Sequence, residues 1–361
     1  MIPLFSAFSQ LSKKLSYCPL GVFPTPVEEL TRLAQQLGRQ RLYVKRDDLS
    51  GNPYGGNKVR KLEFILADVM HKGIQTVVTS GAAGSNHALA TAIYGQKLGL
   101  HVDLLLFAQP STAEVRTNLL TDFHAGARLY HADSYEDHLR MMEDFLRRAA
   151  ERNETKYVIP PGGSMPLGVF GYVNAVFELK MQIEQGLIPE PDEIFVAYGT
   201  MGTAVGLALG VSVAGLQSKI RAVRVVPDVV ANEEKFQELF EATRHLLIAS
   251  DPSLASLPFD PGILSVEHSF YGQGYGMGTR EASEAIELFD RFQKIKLDQT
   301  YTGKTAAAFL AAARQAPEDK NLLFWVTKNS CLLSPGSRSI DFHRLPEAFH
   351  HYFEGTDPGI D

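Results

Sequence analysis

The feature that most constrains the fold of this chain is a repeated order of β-branched apolar runs, glycine-containing turns and helical patterns. Residues 75–80 are such a run, which ends in Gly-Ala-Ala-Gly-Ser-Asn-His before a helix of small residues at 88–98. Strand, glycine turn and helix in this order form a βαβ unit, which needs parallel strands covered by helices. We therefore predict an α/β protein with open, twisted, mostly parallel sheets in three α/β/α layers.

Units of this kind recur in the middle of the chain and again towards its end. In the middle they predict strands at 101–107, 128–131 and 157–160, with helices at 116–125 and 135–151. Around them we predict helices at 27–37, 59–72, 172–185, 233–248, 280–292 and 304–314, and strands at 41–45, 193–197, 220–226 and 322–326. Two runs of units imply two domains. We expect residues 1–60 and 170–361 to form a large domain, with a small α/β domain inserted at 61–169.

Composition and charge limit the possible partners. The 361 residues are 45% hydrophobic and 21% charged, which is ordinary for a globular protein. The net charge of -6 and the absence of a long basic run argue against nucleic acid or an anionic membrane as a partner. Cys18 and Cys331 form neither a disulfide framework nor a metal-binding spacing. Without a signal peptide or an apolar run of membrane-spanning length, we expect a cytoplasmic protein with a small-molecule ligand.

A lysine at the start of a predicted helix is the first candidate for chemistry. Lys58 follows a Gly-Gly-Asn turn at 55–57 and precedes the helix predicted for 59–72. The positive end of the helix dipole favours the neutral form of an amine, and a neutral amine can attack a carbonyl carbon. The alternative is that Lys58 is one of several solvated basic side chains, together with Arg60 and Lys61.

The predicted strand 193–197 leads into a loop that could bind an anion, because a helix of small residues follows at once. Backbone N–H groups, threonine hydroxyls and the helix dipole would converge on one point there. The alternative is a tight turn that needs glycine only for its backbone angles, and the glycine spacing excludes a dinucleotide-binding motif. The loop consists of Gly199, Thr200, Met201, Gly202 and Thr203.

A second junction between a strand and a helix carries Ser85, Asn86 and His87. A serine or asparagine at this position could simply cap the helix. The N–H groups that need a cap can also bind a carboxylate, which would suit an amino acid substrate. His87, like most histidines, is more commonly packed or at the surface than catalytic.

Two tyrosines lie beside glycines in the second half of the chain. Tyr275 belongs to a Tyr-Gly-Gln-Gly-Tyr-Gly segment, and Tyr301 precedes Thr302 in Tyr-Thr-Gly-Lys. Each would ordinarily be a loop aromatic packed on its neighbours. In company with a reactive lysine and a phosphate loop, both become candidate acid or base groups.

Several motifs occur in the same order as in a known family. Together they resemble the 1-aminocyclopropane-1-carboxylate deaminase and D-cysteine desulfhydrase family of tryptophan synthase β-like, fold type II pyridoxal phosphate enzymes. The resemblance covers residues 20–330 and implies pyridoxal 5'-phosphate as cofactor, bound by the large domain, and a homodimer. The motifs are Lys-Arg-Asp-Asp-Leu-Ser-Gly, Gly-Gly-Asn-Lys-Val-Arg-Lys-Leu-Glu, Gly-Ser-Asn-His, Pro-Gly-Gly-Ser-Met-Pro-Leu-Gly-Val-Phe-Gly-Tyr-Val, Gly-Thr-Met-Gly-Thr and Tyr-Thr-Gly-Lys.

The resemblance also implies roles for individual residues. Lys58 is similar to the lysine that holds the cofactor aldehyde and moves the proton at the substrate α-carbon. Asn86 matches the asparagine that bonds the cofactor's ring hydroxyl, and Ser85 matches the serine beside the substrate. The loop at 199–203 falls on the phosphate loop. His87 is added as a substrate-side candidate because of its position next to this pair.

On the other side of the cofactor, Tyr275 and Tyr301 match two active-site tyrosines. Thr327 falls where family members place a residue close to the pyridine nitrogen, and Thr302 is a candidate substrate-binding residue. The deaminase branch has Glu and Leu at these two threonine positions, whereas the desulfhydrase branch has the threonines. A hydroxyl leaves the pyridine nitrogen less protonated than a carboxylate would, which makes the ring a weaker electron sink.

A weaker electron sink favours β-elimination of a good leaving group over cyclopropane opening. The chain also departs from the family at Gly84, at residues 88–90 and at 328–329, which are positions near the substrate and the pyridine ring. We therefore predict a lyase or deaminase that converts a small amino acid to a 2-oxo acid and ammonia, in the manner of D-cysteine desulfhydrase. The alternatives are a 1-aminocyclopropane-1-carboxylate deaminase that yields 2-oxobutanoate, and a homologue that binds cofactor or amino acid without turnover.

Overall fold

The structure is a computed structural model, and it describes residues 1–333, 336 and 339–354. The chain divides into two compact units. The first unit comprises Met1–Phe64 and Ser164–Cys331, and the second comprises Ile65–Gly163 and the described residues from Leu332 onward. The sequence analysis placed residues after 332 in the large domain, whereas here they group with the second unit. The predicted domain ranges remain a prediction.

The strands and helices of the described residues alternate through most of the chain. The strands are β1 (Val27–Glu29), β2 (Leu42–Arg46), β3 (Thr76–Ala82), β4 (His101–Phe107), β5 (Arg128–Ala132), β6 (Tyr157–Ile159), β7 (Glu193–Tyr198), β8 (Lys219–Arg224), β9 (Leu264–Glu267) and β10 (Leu322–Val326). The helices are α1 (Pro3–Ala7), α2 (Leu11–Lys14), α3 (Thr31–Gln36), α4 (Asn57–His71), α5 (Asn86–Lys97), α6 (Ala113–His124), α7 (Tyr135–Glu151), α8 (Pro166–Glu184), α9 (Gly202–Ala214), α10 (Glu233–Ser250), α11 (Arg280–Gln293), α12 (Thr302–Gln315) and α13 (His351–Glu354). Single 3-10 turns lie at Asp47–Leu49, Pro161–Gly163, Pro252–Ser256, Pro261–Ile263, Phe342–Arg344 and Glu347–Phe349. No helix in this part of the chain is both long and apolar enough to span a membrane.

The first unit contains a six-stranded sheet in the order β1-β2-β10-β7-β8-β9. Its strands are parallel except β1, which runs antiparallel to β2 at the edge. The second unit contains a four-stranded, fully parallel sheet in the order β5-β4-β3-β6. The predicted fold class, a mostly parallel α/β protein, is therefore confirmed.

The core of the first unit is built on the close packing of α8 against α9. A Cβ atom on Gly206 would lie 2.4 Å from the Cβ of Tyr172, so the small residues of α9 let the two helices approach closely. Tyr172 packs in turn on Trp325 of β10, at 5.7 Å between ring centroids, and both side chains are fully buried. Burial of one such large apolar side chain contributes roughly 1.5–3 kcal/mol. This packing gives β7 and β10, whose carboxyl ends lead to candidate residues, a rigid support.

One predicted element is wrong in kind. The helix predicted for 27–37 is instead the short strand β1 followed by α3, which begins only at Thr31. Val27 pairs with Lys45 and Glu29 with Tyr43, so the edge of the sheet overrides the helical preference of the two glutamates. The analysis also missed β9, an edge strand. The other predicted elements are present, with ends that differ by a few residues.

Candidate active site

Lys58 lies in the first turn of α4, and the turn before it is held against the end of β10. Asn57 N donates a hydrogen bond to Thr327 O (2.9 Å). Gly56 has a φ of +90°, and a Cβ there would lie 2.8 Å from Thr327 O and 3.0 Å from Asn329 N. Only glycine fits such a position. The approach to Lys58 is therefore fixed by the backbone and not by flexible side chains.

The surroundings of Lys58 favour its neutral form. Burial lowers the pKa of its ammonium group from 10.5 to about 8. At that pKa roughly a tenth of the amine is neutral at pH 7, several hundred times more than for an ordinary lysine. The sequence analysis expected a lowered pKa from the helix dipole, whereas the cause here is desolvation.

Lys58 itself is partly exposed, whereas Arg60 and Lys61 are buried, each with only 1% of its surface exposed. The alternative reading of these residues as solvated basic side chains is therefore wrong. Burial lowers the pKa of Lys61 well below its ordinary value, and the nearby charge of Lys58 lowers it further. Two desolvated amines thus lie within one turn of α4.

Arg60 belongs to a buried network of charges behind Lys58. Its guanidinium donates to both carboxylate oxygens of Asp47 (2.8 and 2.7 Å) and to both of Glu178 (3.0 and 2.9 Å). Lys45 Nζ also donates to Glu178, and Tyr172 OH donates to Asp47 Oδ2 (2.6 Å). Burial alone would raise the pKa of Asp47, but the adjacent Arg60 outweighs it and lowers that pKa to about 2. Two cations and two carboxylates neutralise each other and fix the start of α4.

The loop between β7 and α9 brings several hydrogen-bond donors to the start of α9. Gly202 N donates to Ser164 Oγ (3.2 Å), and Ser164 Oγ donates to Thr200 Oγ1 (2.9 Å). Met201 adopts a φ of +63°. A Cβ on Gly202 would lie 2.8 Å from Ser164 Oγ and 2.8 Å from Lys61 Nζ. Amide, hydroxyl and amine groups therefore meet at a helix N-terminus, which is the arrangement that binds an anion.

The lysine turn and this loop are linked directly. Asn57 Nδ2 donates to Thr203 Oγ1 (3.0 Å), so the structure brings Lys58, residues 199–203 and Thr327 together in the first unit. Lys61 and Ser164 also belong to this group, although neither was predicted from the sequence. A signal for Lys61 existed, because it follows Lys58 by three residues and so lies on the same face of α4. Ser164 could not be assigned to the group from the sequence, because it lies far from residues 199–203 along the chain.

The two candidate tyrosines form a pair. The hydroxyls of Tyr275 and Tyr301 lie 2.6 Å apart, and the rings meet edge to face with centroids 6.0 Å apart. The Cε1 atom of Tyr301 lies 3.8 Å from where a Cβ on Gly199 would be. The pair therefore adjoins the donor-lined loop of the first unit.

Thr302 has a structural role in the turn that carries Tyr301. Its side chain is fully buried, and its Oγ1 accepts from Asp298 N (2.9 Å) and donates to Asp298 Oδ1. Asp298 Oδ2 accepts from Tyr301 N (2.9 Å). The hydroxyl that was expected to bind substrate is thus already used as donor and acceptor within its own turn.

In the second unit, Ser85 caps α5, as the capping alternative expected. Its Oγ accepts from Ala88 N (3.2 Å), Asn86 is the first residue of the helix, and His87 is buried.

The departure from the family at Gly84 has a steric explanation. A Cβ there would lie 2.9 Å from Val115 Cγ2 and 3.2 Å from Gln109 Nε2, so a glutamine at this position would clash. Gly84 N instead donates to Gln109 Oε1 (3.0 Å). A glutamine supplied by a different segment thus lies beside the Ser-Asn junction.

Comparisons with known proteins agree with this geometry. The family model described as "Pyridoxal-phosphate dependent enzyme" matches residues 19–328. Two curated proteins named "Putative 1-aminocyclopropane-1-carboxylate deaminase" are each 34% identical to the chain. The one from Pyrococcus abyssi aligns over 304 residues and the one from Pyrococcus horikoshii over 302, in both cases 83% of this chain and 87% of the relative.

Solved structures show the same fold. A structure described as an "ACC deaminase homologue" is 31% identical, with a TM-score of 0.75 over 90% of this chain and 94% of the other. The processed form of threonine deaminase isoform 2 from Solanum lycopersicum is 15% identical, with a TM-score of 0.61 over 97% of this chain and 87% of the other. The second likeness concerns the fold alone.

The residues of the first unit fit the family's cofactor. A phosphate group needs donors without competing carboxylates, and the loop at Gly202 offers backbone N–H groups, two hydroxyls and the Lys61 amine. An aldehyde needs a neutral amine, and Lys58 has the lowered pKa that supplies one. Because the family model covers most of the chain and the resemblance in the motifs is confirmed, this chain belongs to the pyridoxal phosphate-dependent enzymes of the 1-aminocyclopropane-1-carboxylate deaminase-like, fold type II family and uses pyridoxal 5'-phosphate as its cofactor.

Proposed function

We propose that this enzyme removes the α-proton of a small amino acid and eliminates the group on its β-carbon, and that water then hydrolyses the resulting enamine, through its imine, to a 2-oxo acid and ammonia. The observation that carries the proposal is the desolvated Lys58, whose turn is bonded through Asn57 to both the donor-lined loop and Thr327. When bound, the cofactor supplies an aldehyde for a lysine and an electron sink for the α-carbon.

In this proposal each group in the first unit has a separate task. Lys58 holds the cofactor aldehyde and carries the α-proton, since a pKa of about 8 allows an amine to accept and return a proton near neutral pH. Residues 199–203, with Lys61 and Ser164, hold the phosphate. The hydroxyl pair of Tyr275 and Tyr301 donates or accepts a proton at the leaving group.

The remaining candidates hold the substrate and the cofactor ring. Asn86 would bond the ring hydroxyl, and Ser85 at the N-terminus of α5 would lie beside the substrate. Thr327 approaches the pyridine nitrogen. His87 is buried next to this junction and completes its packing.

Two positions support β-elimination over ring opening. At position 302 this chain has no carboxylate, and a glutamate there would have to be buried beside Asp298. At position 327 the chain has threonine, as the desulfhydrase branch does, where the deaminase branch has leucine; neither side chain protonates the pyridine nitrogen strongly, so this position supports β-elimination by that likeness and not by a weaker electron sink. We therefore infer a preference for substrates such as D-cysteine, whose thiolate leaves readily.

A second candidate is 1-aminocyclopropane-1-carboxylate deaminase activity, with 2-oxobutanoate and ammonia as products. The names of the two Pyrococcus relatives favour it. The family resemblance further supports a homodimer, which sedimentation of the purified holoprotein would test. A cytoplasmic location is proposed from the sequence alone.

Steady-state rates on three substrates decide between the candidates. We expect D-cysteine and β-chloro-D-alanine to be turned over faster than 1-aminocyclopropane-1-carboxylate, with release of sulfide or chloride. A Lys58→Ala variant serves as the inactive control. The preference for β-elimination is refuted if the cyclopropane substrate is the best of the three.

Borohydride reduction of the holoprotein and peptide mapping test the assignment of Lys58 separately. The reduced cofactor should be attached to the peptide that contains Lys58. Attachment to Lys61 or Lys304 would overturn that assignment, whatever the preferred substrate.

A further inference from the structure

Lys304 is a buried lysine to which no role has yet been given. Its side chain is fully buried, and its Nζ donates to Tyr271 O (2.6 Å) and Gly274 O (3.0 Å). The same ammonium group lies 5.2 Å from the centroid of the Tyr271 ring. A desolvated cation is costly unless it is bonded, so these two carbonyls are the groups that keep it in place.

The contact with Gly274 bears directly on Tyr275. The Gly274 carbonyl belongs to the peptide bond that leads into Tyr275, so Lys304 fixes the peptide plane from which the tyrosine side chain departs. The surrounding segment contains no helix or strand, and two of its glycines, Gly272 and Gly276, have φ values of +71° and +77°. Such a segment has little internal restraint, because glycine is conformationally permissive.

The other member of the tyrosine pair is attached to the same helix as Lys304. Tyr301 immediately precedes α12, and Lys304 is the third residue of that helix. Asp298 holds this turn, since its side chain accepts from the backbone N–H groups of Thr300 (3.1 Å) and Tyr301 (2.9 Å). Lys304 therefore connects the segment with Tyr275 to the helix with Tyr301.

We propose that Lys304 is a positioning residue that holds the Tyr275 hydroxyl against the Tyr301 hydroxyl. A methionine at this position would fill a similar volume but leave the carbonyls of Tyr271 and Gly274 without their donor. The segment from Tyr271 to Gly278 would then lose its tie to α12, and the 2.6 Å contact of the hydroxyls would open. The catalytic consequence of this inference rests on the proposed function of the tyrosine pair.

The test compares Lys304→Met with Tyr275→Phe and with the double variant, all as full-length holoprotein. Both single variants are expected to lower kcat by at least about tenfold, with KM changed by less than about twofold. The kcat of the double variant should be at most about twofold lower than the kcat of Tyr275→Phe, because both changes remove the same contact. Lys296→Met, a change of an exposed lysine near α12, is the matched control and should retain wild-type kcat.

A second readout needs no turnover. In the apoprotein, amide hydrogen exchange in residues 271–278 should be at least about tenfold faster in Lys304→Met, with exchange in β7 unchanged. Lys304→Gln, which keeps a donor on a shorter side chain, is measured alongside and should show an intermediate loss of kcat. If Lys304→Met does not fold, the comparison of Lys304→Gln with Tyr275→Phe decides.

Three results would overturn the role of Lys304. They are wild-type exchange in residues 271–278 of the variants, a kcat within twofold of wild type in both Lys304 variants, and losses that multiply in the double variant. If the unmodified holoprotein turns over none of the three substrates, the proposed function fails by itself. The exchange rates of the apoprotein then still decide whether Lys304 positions the segment.

Discussion

Replacement of Gly202 by alanine tests the donor-lined loop with a single added carbon atom. The new Cβ would lie 2.8 Å from Lys61 Nζ and from Ser164 Oγ, and 3.1 Å from Ser164 Cα. The lysine end can move away, but the backbone of Ser164 cannot move without shifting its own neighbours. We expect the alanine to displace Lys61 from the phosphate.

The magnitude follows from what is lost. A hydrogen bond to a charged group is worth about 1.5–3 kcal/mol, which corresponds to roughly 10- to 150-fold weaker binding of the cofactor. Folding should suffer little, since alanine is favoured over glycine in a helix by about 1 kcal/mol and this offsets part of the clash. The variant should therefore lose cofactor affinity while its free energy of unfolding changes by less than about 1 kcal/mol.

Titration of apoprotein with pyridoxal phosphate measures the affinity. The only tryptophan of the chain, Trp325, lies in β10 two residues before Thr327, and its fluorescence provides the signal. Gly199→Ala is a matched control in the same loop, where a Cβ would meet its nearest atoms at 3.8 and 3.9 Å, which is ordinary contact. It should lose far less affinity. Equal affinities for wild type and folded Gly202→Ala would refute this reasoning.

Three further predictions concern buried charges. Arg60→Met should lower the free energy of unfolding by about 3–5 kcal/mol in urea denaturation, because it leaves Asp47 and Glu178 buried without their shared cation; unchanged stability would contradict a structural role for the network. The side-chain oxygens of Asp122 are buried without a hydrogen-bond partner among the described residues, and burial raises the pKa of this carboxyl group well above the ordinary value. The folded state thus binds a proton more tightly than the unfolded state, so Asp122 lowers stability progressively as pH rises above about 4. Asp122→Asn should raise the free energy of unfolding by about 1–3 kcal/mol at pH 7 and leave it unchanged at pH 3. A gain in stability that does not depend on pH would contradict the argument. The rate at which the apoprotein takes up the cofactor should rise with pH along a titration curve whose midpoint is about 8, since only neutral Lys58 attacks the aldehyde. A midpoint above 10 would show that the lysine is solvated.

The sequence was informative where a pattern has only one structural solution. Alternating apolar runs, glycine turns and helices permit few arrangements other than parallel sheets, and both sheets are as expected apart from the two edge strands β1 and β9, which were not predicted. The motifs placed the chain in its family, which the comparisons confirm. The role of each candidate residue stays a prediction.

The sequence was misleading where the decisive factor is a contact between distant segments. Arg60 and Lys61 look solvated in a list of residues, and only the partners of Arg60 and the packing around α4 show that both are buried. Thr302 looks available for a substrate, but Asp298, four residues earlier, takes both functions of its hydroxyl. Short-range sequence patterns reflect local preferences for helix or strand. The burial of a side chain and the use of its hydrogen-bonding groups depend instead on contacts that form only in the folded protein.

The charge network behind Lys58 also sets an order of events during synthesis. Arg60 and Glu178 are separated by 118 positions in the chain, and Lys45 and Glu178 by 133. A nascent chain that ends before α8 already contains Ile65–Gly163 of the second unit, yet the cations of Lys45 and Arg60 still lack the second carboxylate. The ribosome must therefore release about half of the 361 residues, up to Glu178, before the lysine turn reaches its final geometry. The chain can therefore bind its cofactor only after α8 has been synthesised, and a fragment truncated before α8 should have no affinity for pyridoxal phosphate.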